Sequence, residues 1–458
     1  MKSRQYQKDA ISAILTELQE NNNQKCIVKM FCGSGKSHVM QQIAILLDTA
    51  LTVFVFPSLA LIGQFAQTYM SSVAHLLTIS SDEESTTDPR EIQKFLEDHT
   101  QEKKTICITY QSFTTLLENL GENVIRLCCY DEAHHAVGET YRQFIFQQDK
   151  IDKQVFFTAT PKNANGIVMY DRDNPESGMC GNLCYDYSYL RGVEEGYLNP
   201  FDLRVDLALL DTNVCKYESI ARAILQTGNS RVLTFHGAVH KGETSVKSFV
   251  DQDLFREAFH RIADAEFPQK KNQYANIHMM GMDANTAAKT RKQILALFKK
   301  RKRNDEDDDN VDNTVIVLST CETVGEGVDT FNANMCVFID PKTSHVKIIQ
   351  NIGRVVRKVP GVDTVPSTVL LCCYVEKEKY LACDGDQELI DDAIREDMGK
   401  SGNFNTIMNT MTALQQEDPD IYDMCLNYAE NFTSREIEYN LKKQKYVTVL
   451  SFFFWSNE

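Results

Sequence analysis

The sequence predicts an α/β fold of two tandem parallel-sheet domains. Three observations carry this expectation. Short β-branched runs alternate with longer helical patterns, the alternation restarts after about residue 200, and the first run ends in a glycine-rich turn that opens a helix. The length of 458 residues suits two to four domains at roughly 100–200 residues each. No stretch approaches the roughly 18 apolar residues of a membrane span, and the first residues lack the apolar core of a signal peptide. The expectation is a soluble intracellular protein of cytoplasm or nucleus, with no membrane partner.

In the first half the strand candidates are Cys26–Met30, Leu51–Phe56, Thr105–Thr109, Val124–Tyr130 and Gln154–Thr158. In the second they are Arg231–Phe235, Ile277–Met280, Thr314–Ser319, Met335–Ile339 and Thr368–Val375. Two sets of similar length are better explained by two stacked domains than by one very large sheet. Gly, Asn and Pro cluster near Tyr197-Leu198-Asn199-Pro200, which marks a hinge. The expected domains are therefore 1–197 and 198–383, followed by a C-terminal extension, 384–458. The wide gap at 238–275 reads as an insertion in the second domain. Residues 299–312 join five bases to a run of acids, the composition of a solvated loop.

Charge and cysteine content exclude some classes. The net charge is −16, of which 384–458 contribute −9 through 15 acidic and 6 basic residues. This rules out a basic DNA-coating protein, although a groove can bind nucleic acid whatever the total. The acidic extension is a candidate for a protein partner, and its apolar end, Val447–Trp455, reads as a last strand or a partner-binding segment. Of 14 cysteines, Cys26, Cys107, Cys128, Cys129, Cys336, Cys372 and Cys373 lie in apolar runs, as buried thiols of a reducing compartment do. Cys180 and Cys184 alone have ligand-like spacing, without the second pair that a zinc site needs.

Two segments carry chemistry. Lys29-Met30-Phe31-Cys32-Gly33-Ser34-Gly35-Lys36-Ser37 follows a strand and precedes an apolar-periodic helix. Its glycines let successive N–H groups point at phosphate oxygens, and the helix N-terminus adds positive potential. Lys36 would reach the β- and γ-phosphates of ATP, and the Ser37 hydroxyl would ligate Mg²⁺. The strict phosphate-loop pattern has Gly six residues before the Lys, where this chain has Met30. The second segment is Cys128-Cys129-Tyr130-Asp131-Glu132-Ala133-His134-His135. Adjacent carboxylates at a strand end repel one another unless a cation or a reacting water lies between them. Asp131 would hold Mg²⁺ through water, and Glu132 would orient and deprotonate the attacking water.

Gly-Ser-Gly-Lys-Ser with Asp-Glu-Ala-His resembles the nucleotide site of superfamily 2 helicases of the DEAH-like group. The resemblance runs from about residue 4 to 357, with the motifs in order. Arg4-Gln5-Tyr6-Gln7 resembles the adenine-reading element, which implies nucleotide contacts for Arg4 and Gln7. Phe56 through Gln64 resembles motif Ia, and Thr109-Tyr110-Gln111-Ser112-Phe113 resembles motif Ib. Thr158-Ala159-Thr160-Pro161 is similar to the coupling motif III. Leu233-Thr234-Phe235-His236 resembles motif IV, and Ser319-Thr320-Cys321 through Gly325-Glu326-Gly327-Val328-Asp329 resembles motif V. Gln350-Asn351-Ile352-Gly353-Arg354-Val355-Val356-Arg357 is similar to motif VI.

The resemblance implies two RecA-like domains that close on ATP and Mg²⁺. It makes Gln350, Arg354 and Arg357 catalytic partners of Lys36, Asp131 and Glu132, with Gly327 and Asp329 at the nucleotide. Gln350, Arg354 and Arg357 fall at i, i+4 and i+7, one face of a helix. Strand-end loops would contact DNA or RNA without reading sequence, through Pro57, Ser58, Gln64, Thr109, Tyr110, Gln111, Phe235, His236, Ser319 and Thr320. The motifs are similar to those of restriction-enzyme motors and of repair or transcription DNA helicases, and Gln350 at the start of motif VI tilts the substrate toward DNA. Compact helicases of this kind also resemble those of large DNA viruses, in which case a virion is a further location. Alternatives are an RNA helicase, or an ATP-dependent clamp or sensor that does not unwind.

Overall fold

A computed structural model describes residues 3–81, 85–98, 100–146, 149–161, 167–171, 173–174, 178–210, 214–240, 245–283, 285–299, 313–321, 330, 332–340, 342–358, 365–376, scattered positions between 382 and 396, 403–417 and 446–453. These fall into two compact units, one through Gly192 and one from Val193 onward. Among them, no helix is long and apolar enough to cross a membrane.

The first unit holds a seven-stranded parallel sheet. Its strands are β1 (Lys25–Met30), β2 (Leu51–Phe56), β3 (Leu76–Ile79), β4 (Lys104–Thr109), β5 (Leu127–Tyr130), β6 (Gln154–Thr158) and β7 (Asn182–Tyr187), in the order β3-β4-β2-β5-β6-β1-β7. Helices connect the strands and cover both faces, so β1, β2 and β5 are buried along almost their whole length. Ile27, Val53, Val55, Ile106, Ile108, Tyr130 and Phe156 meet in one core. Parallel pairing sends every strand's C-terminal end to the same edge. Lys29 stands opposite Thr158 and Tyr130 opposite Phe156, so the turns after β1, β5 and β6 emerge side by side. That edge is where open α/β sheets place ligands.

The second unit repeats the plan with β8 (Phe201–Leu210), β9 (Arg231–His236), β10 (Asn276–Met282), β11 (Thr314–Cys321), β12 (Met335–Phe338), β13 (Ser367–Glu376) and β14 (Tyr446–Phe453). The order is β10-β11-β9-β12-β13-β8-β14. All pairs are parallel except β14, which runs antiparallel to β8 with Leu450 opposite Val205. Of the two readings of the apolar run Val447–Trp455, the last strand is therefore the one adopted.

The described residues of 238–275 belong to the crossover from β9 to β10. The helix Gln252–Glu266 puts Phe255, Ala258, Phe259, Ile262 and Ala263 into the second core, the i, i+3, i+4 spacing of a core-facing stripe. Described residues beyond 383 pack within the same unit. The helix Asn403–Glu417 packs on the helix His345–Ile352 and on β13, and β14 completes the sheet. The acid-rich loop at 300–312 lies outside the described residues.

Candidate functional site

The turn after β1 is built from backbone bonds that only a glycine-rich sequence permits. Phe31 N–H donates to the Tyr187 carbonyl (3.0 Å), and Ser34 closes back on Phe31 through its N–H (3.2 Å) and its hydroxyl (2.6 Å). Gly33 and Gly35 then take φ of +85° and +88°, values that are costly for residues with a Cβ. Gly35 is the N-cap of the helix Lys36–Leu47, and no side chain caps that helix. Its first turn thus has the form that anion-binding helices use. Cys32, Ser34 and Lys36 are buried and Ser37 is half-buried.

The helix Gln5–Leu15 braces this turn from behind. Tyr6 Oη donates to the Ser34 carbonyl (2.6 Å), Gln7 Nε2 donates to the same oxygen (3.1 Å), and Gln7 Oε1 accepts from Arg4 N–H (3.0 Å). The Tyr6 ring stacks on Tyr187, with centroids 4.1 Å apart. Both ends of the Gln7 amide thus carry one bond within the chain, which leaves a second N–H on Nε2. Arg4 lies beside it, its guanidinium 3.4 Å from Tyr6 Oη. Tyr6 and Tyr187 were not singled out from sequence, because β7 had not been recognised as the partner of β1.

The acid pair leaves β5 on a rigid mount. Asp131 N–H donates to Val55 (2.9 Å), and Tyr110 Oη donates to the Asp131 carbonyl (2.9 Å). Burial, then the nearby Asp131, push the Tyr110 phenol well above its ordinary range, so it stays a donor. Glu132 N–H donates to Asp131 Oδ1 (3.1 Å), and Glu132 itself is left-handed, φ +45°. A left-handed non-glycine residue costs about 1–2 kcal/mol, and such strain gathers where function fixes a side chain. Lys36 Nζ lies 3.7 Å from Glu132 Oε1 and donates to the Met30 carbonyl (3.4 Å), while His134 Nδ1 is 3.6 Å from Glu132 Oε2. Thr158 is buried at the end of β6, and its hydroxyl accepts from Thr160 N–H (3.2 Å). A buried cation at a left-handed glycine turn fits a polyphosphate. Ser37 and Asp131 are hard oxygen donors of the kind Mg²⁺ takes. Elsewhere in the unit, Cys180 is buried in the core and Cys184 donates to the Ile27 carbonyl.

The residues expected to touch nucleic acid divide into two groups. Pro57 and Ser58 are half-exposed, and Gln64 and Gln111 are exposed. Thr109 and Tyr110 are buried: Thr109 Oγ1 donates to Ser112 Oγ (3.1 Å), and Tyr110 stands behind Asp131. In the second unit Phe235, His236, Ser319 and Thr320 are also buried. They end strands paired on both sides. Thr234 Oγ1 bonds both Ser319 Oγ (2.8 Å) and His236 Nε2 (2.9 Å), and Thr320 Oγ1 donates to the Cys321 carbonyl (2.8 Å). In this structure these six residues are buried, and the hydroxyls of Thr109, Tyr110, Ser319 and Thr320 bond within their own unit.

The helix His345–Ile352 carries Gln350 and stops there. Arg354 follows in a tighter turn, its N–H on the Asn351 carbonyl (3.2 Å), and Arg357 forms a bridge with Leu198. The single helical face expected for Gln350, Arg354 and Arg357 is thus corrected. Asn199 N–H takes the Val356 carbonyl (2.8 Å) and Ser367 Oγ takes that of Val355 (2.6 Å), which draws the chain out of the helix. Gly327 and Asp329 lie outside the described residues.

Comparison with known proteins agrees with this architecture. Residues 1–163 match the family described as Type III restriction enzyme, res subunit, and residues 215–359 match the helicase conserved C-terminal domain. Probable helicases of African swine fever virus are similar over 94% of this chain, at 26% identity for the Malawi tick isolate and 25% for the Kenya pig isolate. The chain spans about half of their length, 46%. The DNA-bound Type ISP restriction-modification enzyme LlaBIII shares the fold over 94% of this chain and 31% of its own, with TM-score 0.71 and 16% identity. A fragment of an HsdR subunit of a type I restriction enzyme from Vibrio vulnificus does so over 81% and 64%, with TM-score 0.51 and 18% identity.

Proposed function

We propose that this chain, which carries the two domains of a superfamily 2 helicase, couples hydrolysis of ATP to movement along nucleic acid, with DNA favoured over RNA. The observation that carries the reading is Lys36 held 3.7 Å from Glu132 at the ligand edge of a parallel sheet. The turn Cys32–Gly35 and the first turn of the following helix would hold the phosphates, with Lys36 neutralising their oxygens. Ser37 and Asp131 would hold Mg²⁺, which when bound supplies positive charge to the transferring phosphoryl group. Glu132 takes the proton of the attacking water. Its aim comes from the backbone of Asp131, fixed by Val55 and Tyr110. Thr158 and Thr160, next to β1 and β5, are placed to pass the state of this edge to the rest of the unit.

From the second unit, Arg354 and Arg357 would neutralise charge that develops at the γ-phosphate, a contribution of roughly 10³–10⁵ in rate for an arginine finger, with Gln350 orienting the water. We assign polymer contact to Pro57, Ser58, Gln64 and Gln111 in the first unit. In the second, the backbone that follows His236 takes that role. Such contacts are independent of sequence and weaken as salt rises. DNA is favoured by Gln350 at the head of its motif and by the DNA-bound state of the solved neighbour LlaBIII. ATPase rates with no polymer, then with single- and double-stranded DNA and RNA, test the proposal against Glu132→Gln as the blank. Strong stimulation by DNA is expected, preference for RNA would reassign the substrate, and a rate indifferent to every polymer would overturn the reading.

A further inference from the structure

The segment between β12 and the helix His345–Ile352 makes contacts that the motifs leave unexplained. Asp340 Oδ2 accepts from Gly237 N–H (2.7 Å), and Lys342 Nζ donates to the His236 carbonyl (2.6 Å). The loop after β9 is thereby gripped at both the carbonyl and the N–H of the one peptide that joins His236 to Gly237. Lys342 is in turn held from the C-terminal helix, where Asn409 Nδ2 donates to the Lys342 carbonyl (2.9 Å). Two turns further along that helix, Gln416 Oε1 meets His345 Nδ1 (3.1 Å). Two residues after Lys342, Ser344 caps the helix that carries Gln350 and delivers Arg354. At the far end, Asn199 and Ser367 hold the carbonyls of Val356 and Val355.

We infer that Lys342, backed by Asn409, is a positioning residue that passes engagement of the polymer-facing loop after β9 to Arg354 and Arg357. The stretch 384–458 is then a working part of the ATPase through its helix Asn403–Glu417. The physical case is geometric. A short helix anchored just beyond its C-terminal end turns about that anchor when its N-terminal end is pulled, which reorients Gln350 and Arg354, and Lys342 ties the pulled end to the loop. Misplacement of a reacting group by about 1 Å can cost about 10²-fold in rate, so small movements of the loop suffice. His236 takes part through its carbonyl alone, since its ring packs on Phe249 (5.0 Å) and bonds Thr234.

The inference rests on the proposed role of Arg354, and the experiment separates the two. DNA-stimulated kcat and the dissociation constant of a fluorescent ATP analogue would be measured for Arg354→Ala, Lys342→Met, Lys342→Arg and Asn409→Asp, an isosteric change that removes the donor. Lys342→Met and Asn409→Asp should lower stimulated kcat about 10- to 100-fold with nucleotide affinity and melting temperature near the parent's. Lys342→Arg, which keeps the donor, should recover most of the rate, and Lys342→Met should add little to Arg354→Ala. Full stimulation in Lys342→Met and Asn409→Asp beside an inactive Arg354→Ala would overturn the inference alone. An Arg354→Ala variant that hydrolyses ATP normally would overturn the functional reading and this inference together.

Discussion

Replacing Gly35 by alanine tests the phosphate-binding turn at its tightest point. Gly35 has φ +88°, and a Cβ there would lie 2.5 Å from Gln7 Nε2. Two costs combine. Left-handed backbone costs a residue with a Cβ about 1–2 kcal/mol. The collision drives Gln7 off the Ser34 carbonyl, and a lost hydrogen bond is worth about 1 kcal/mol, while Tyr6 keeps its own bond to that oxygen. The sum, about 2–3 kcal/mol, corresponds to roughly 30- to 150-fold weaker ATP binding at about 1.4 kcal/mol per decade. Titration with a fluorescent ATP analogue, alongside a thermal melt, measures it. Because alanine at 35 already displaces Gln7, Gly35→Ala with Gln7→Ala should bind no worse than Gly35→Ala alone, the non-additivity expected of groups in contact. Binding by Gly35→Ala within threefold of the parent would refute the cradle. Fully additive losses would refute the bracing role of Gln7 and return it to the nucleotide itself.

The other predictions concern charge. Lys36→Ala should abolish measurable ATP turnover, and unchanged turnover would remove Lys36 from the site. Glu132→Gln should lose at least 10²-fold in hydrolysis, the usual share of a general base, and an unchanged rate would remove Glu132 from the chemistry. Burial raises the Glu17 carboxyl, but amide hydrogen bonds from Asn182, Asn23 and Asn21 outweigh it and hold the group below its ordinary value. A depressed folded value stabilises the protein above the unfolded value, about 4.3, and that stability is lost as pH falls through the folded value. Glu17→Gln should therefore cost about 1.5–3 kcal/mol at neutral pH. The gap to the parent should narrow below about pH 4, so an equal gap in urea melts at pH 3 and pH 7 would contradict the account.

All ten strands expected from β-branched runs occur, with ends shifted by up to three residues. β8 escaped because Asp202, Arg204 and Asp206 alternate through it, a pattern that reads as solvent-facing. They are nonetheless buried, with Arg204 4.0 Å from Asp202 and bonded to Gln226. β7 escaped for a related reason, since its Asp186 finds Lys29 at 3.5 Å across the sheet. Gln226 and Lys29 come from distant stretches of the chain, which no local window contains. The site shows the same division. Lys36, Asp131 and Glu132 were legible because phosphate chemistry fixes residue types at strand ends. The expected polymer contacts could be read only as loops. Whether Thr109, His236 or Ser319 faces outward depends on its neighbours, and here Thr109 bonds Ser112 while Thr234 joins His236 and Ser319 across β9 and β11.

The pairing of Lys36 with Glu132 has a consequence for affinity. Both residues are deeply buried, at 8% and 9% exposure, and removing one member of such a pair leaves an uncompensated charge that costs about 3–5 kcal/mol. Before nucleotide arrives, Glu132 is a counter-charge of Lys36. On the proposed reading, the phosphates displace it from that role, so binding must overcome an interaction that the protein already satisfies. Glu132→Gln keeps the shape of the side chain and removes the charge. Lys36 then keeps its bond to the Met30 carbonyl but loses the Glu132 counter-charge, which phosphate would replace. The variant should therefore bind ATP more tightly than the parent, by severalfold at least, while failing to hydrolyse it. A nucleotide titration at low ionic strength and again at about 0.5 M salt would show the gain at both, because buried pairs are little screened. Weaker binding by Glu132→Gln would mean that Glu132 helps hold the nucleotide, and the exchange of partners at Lys36 would have to be abandoned.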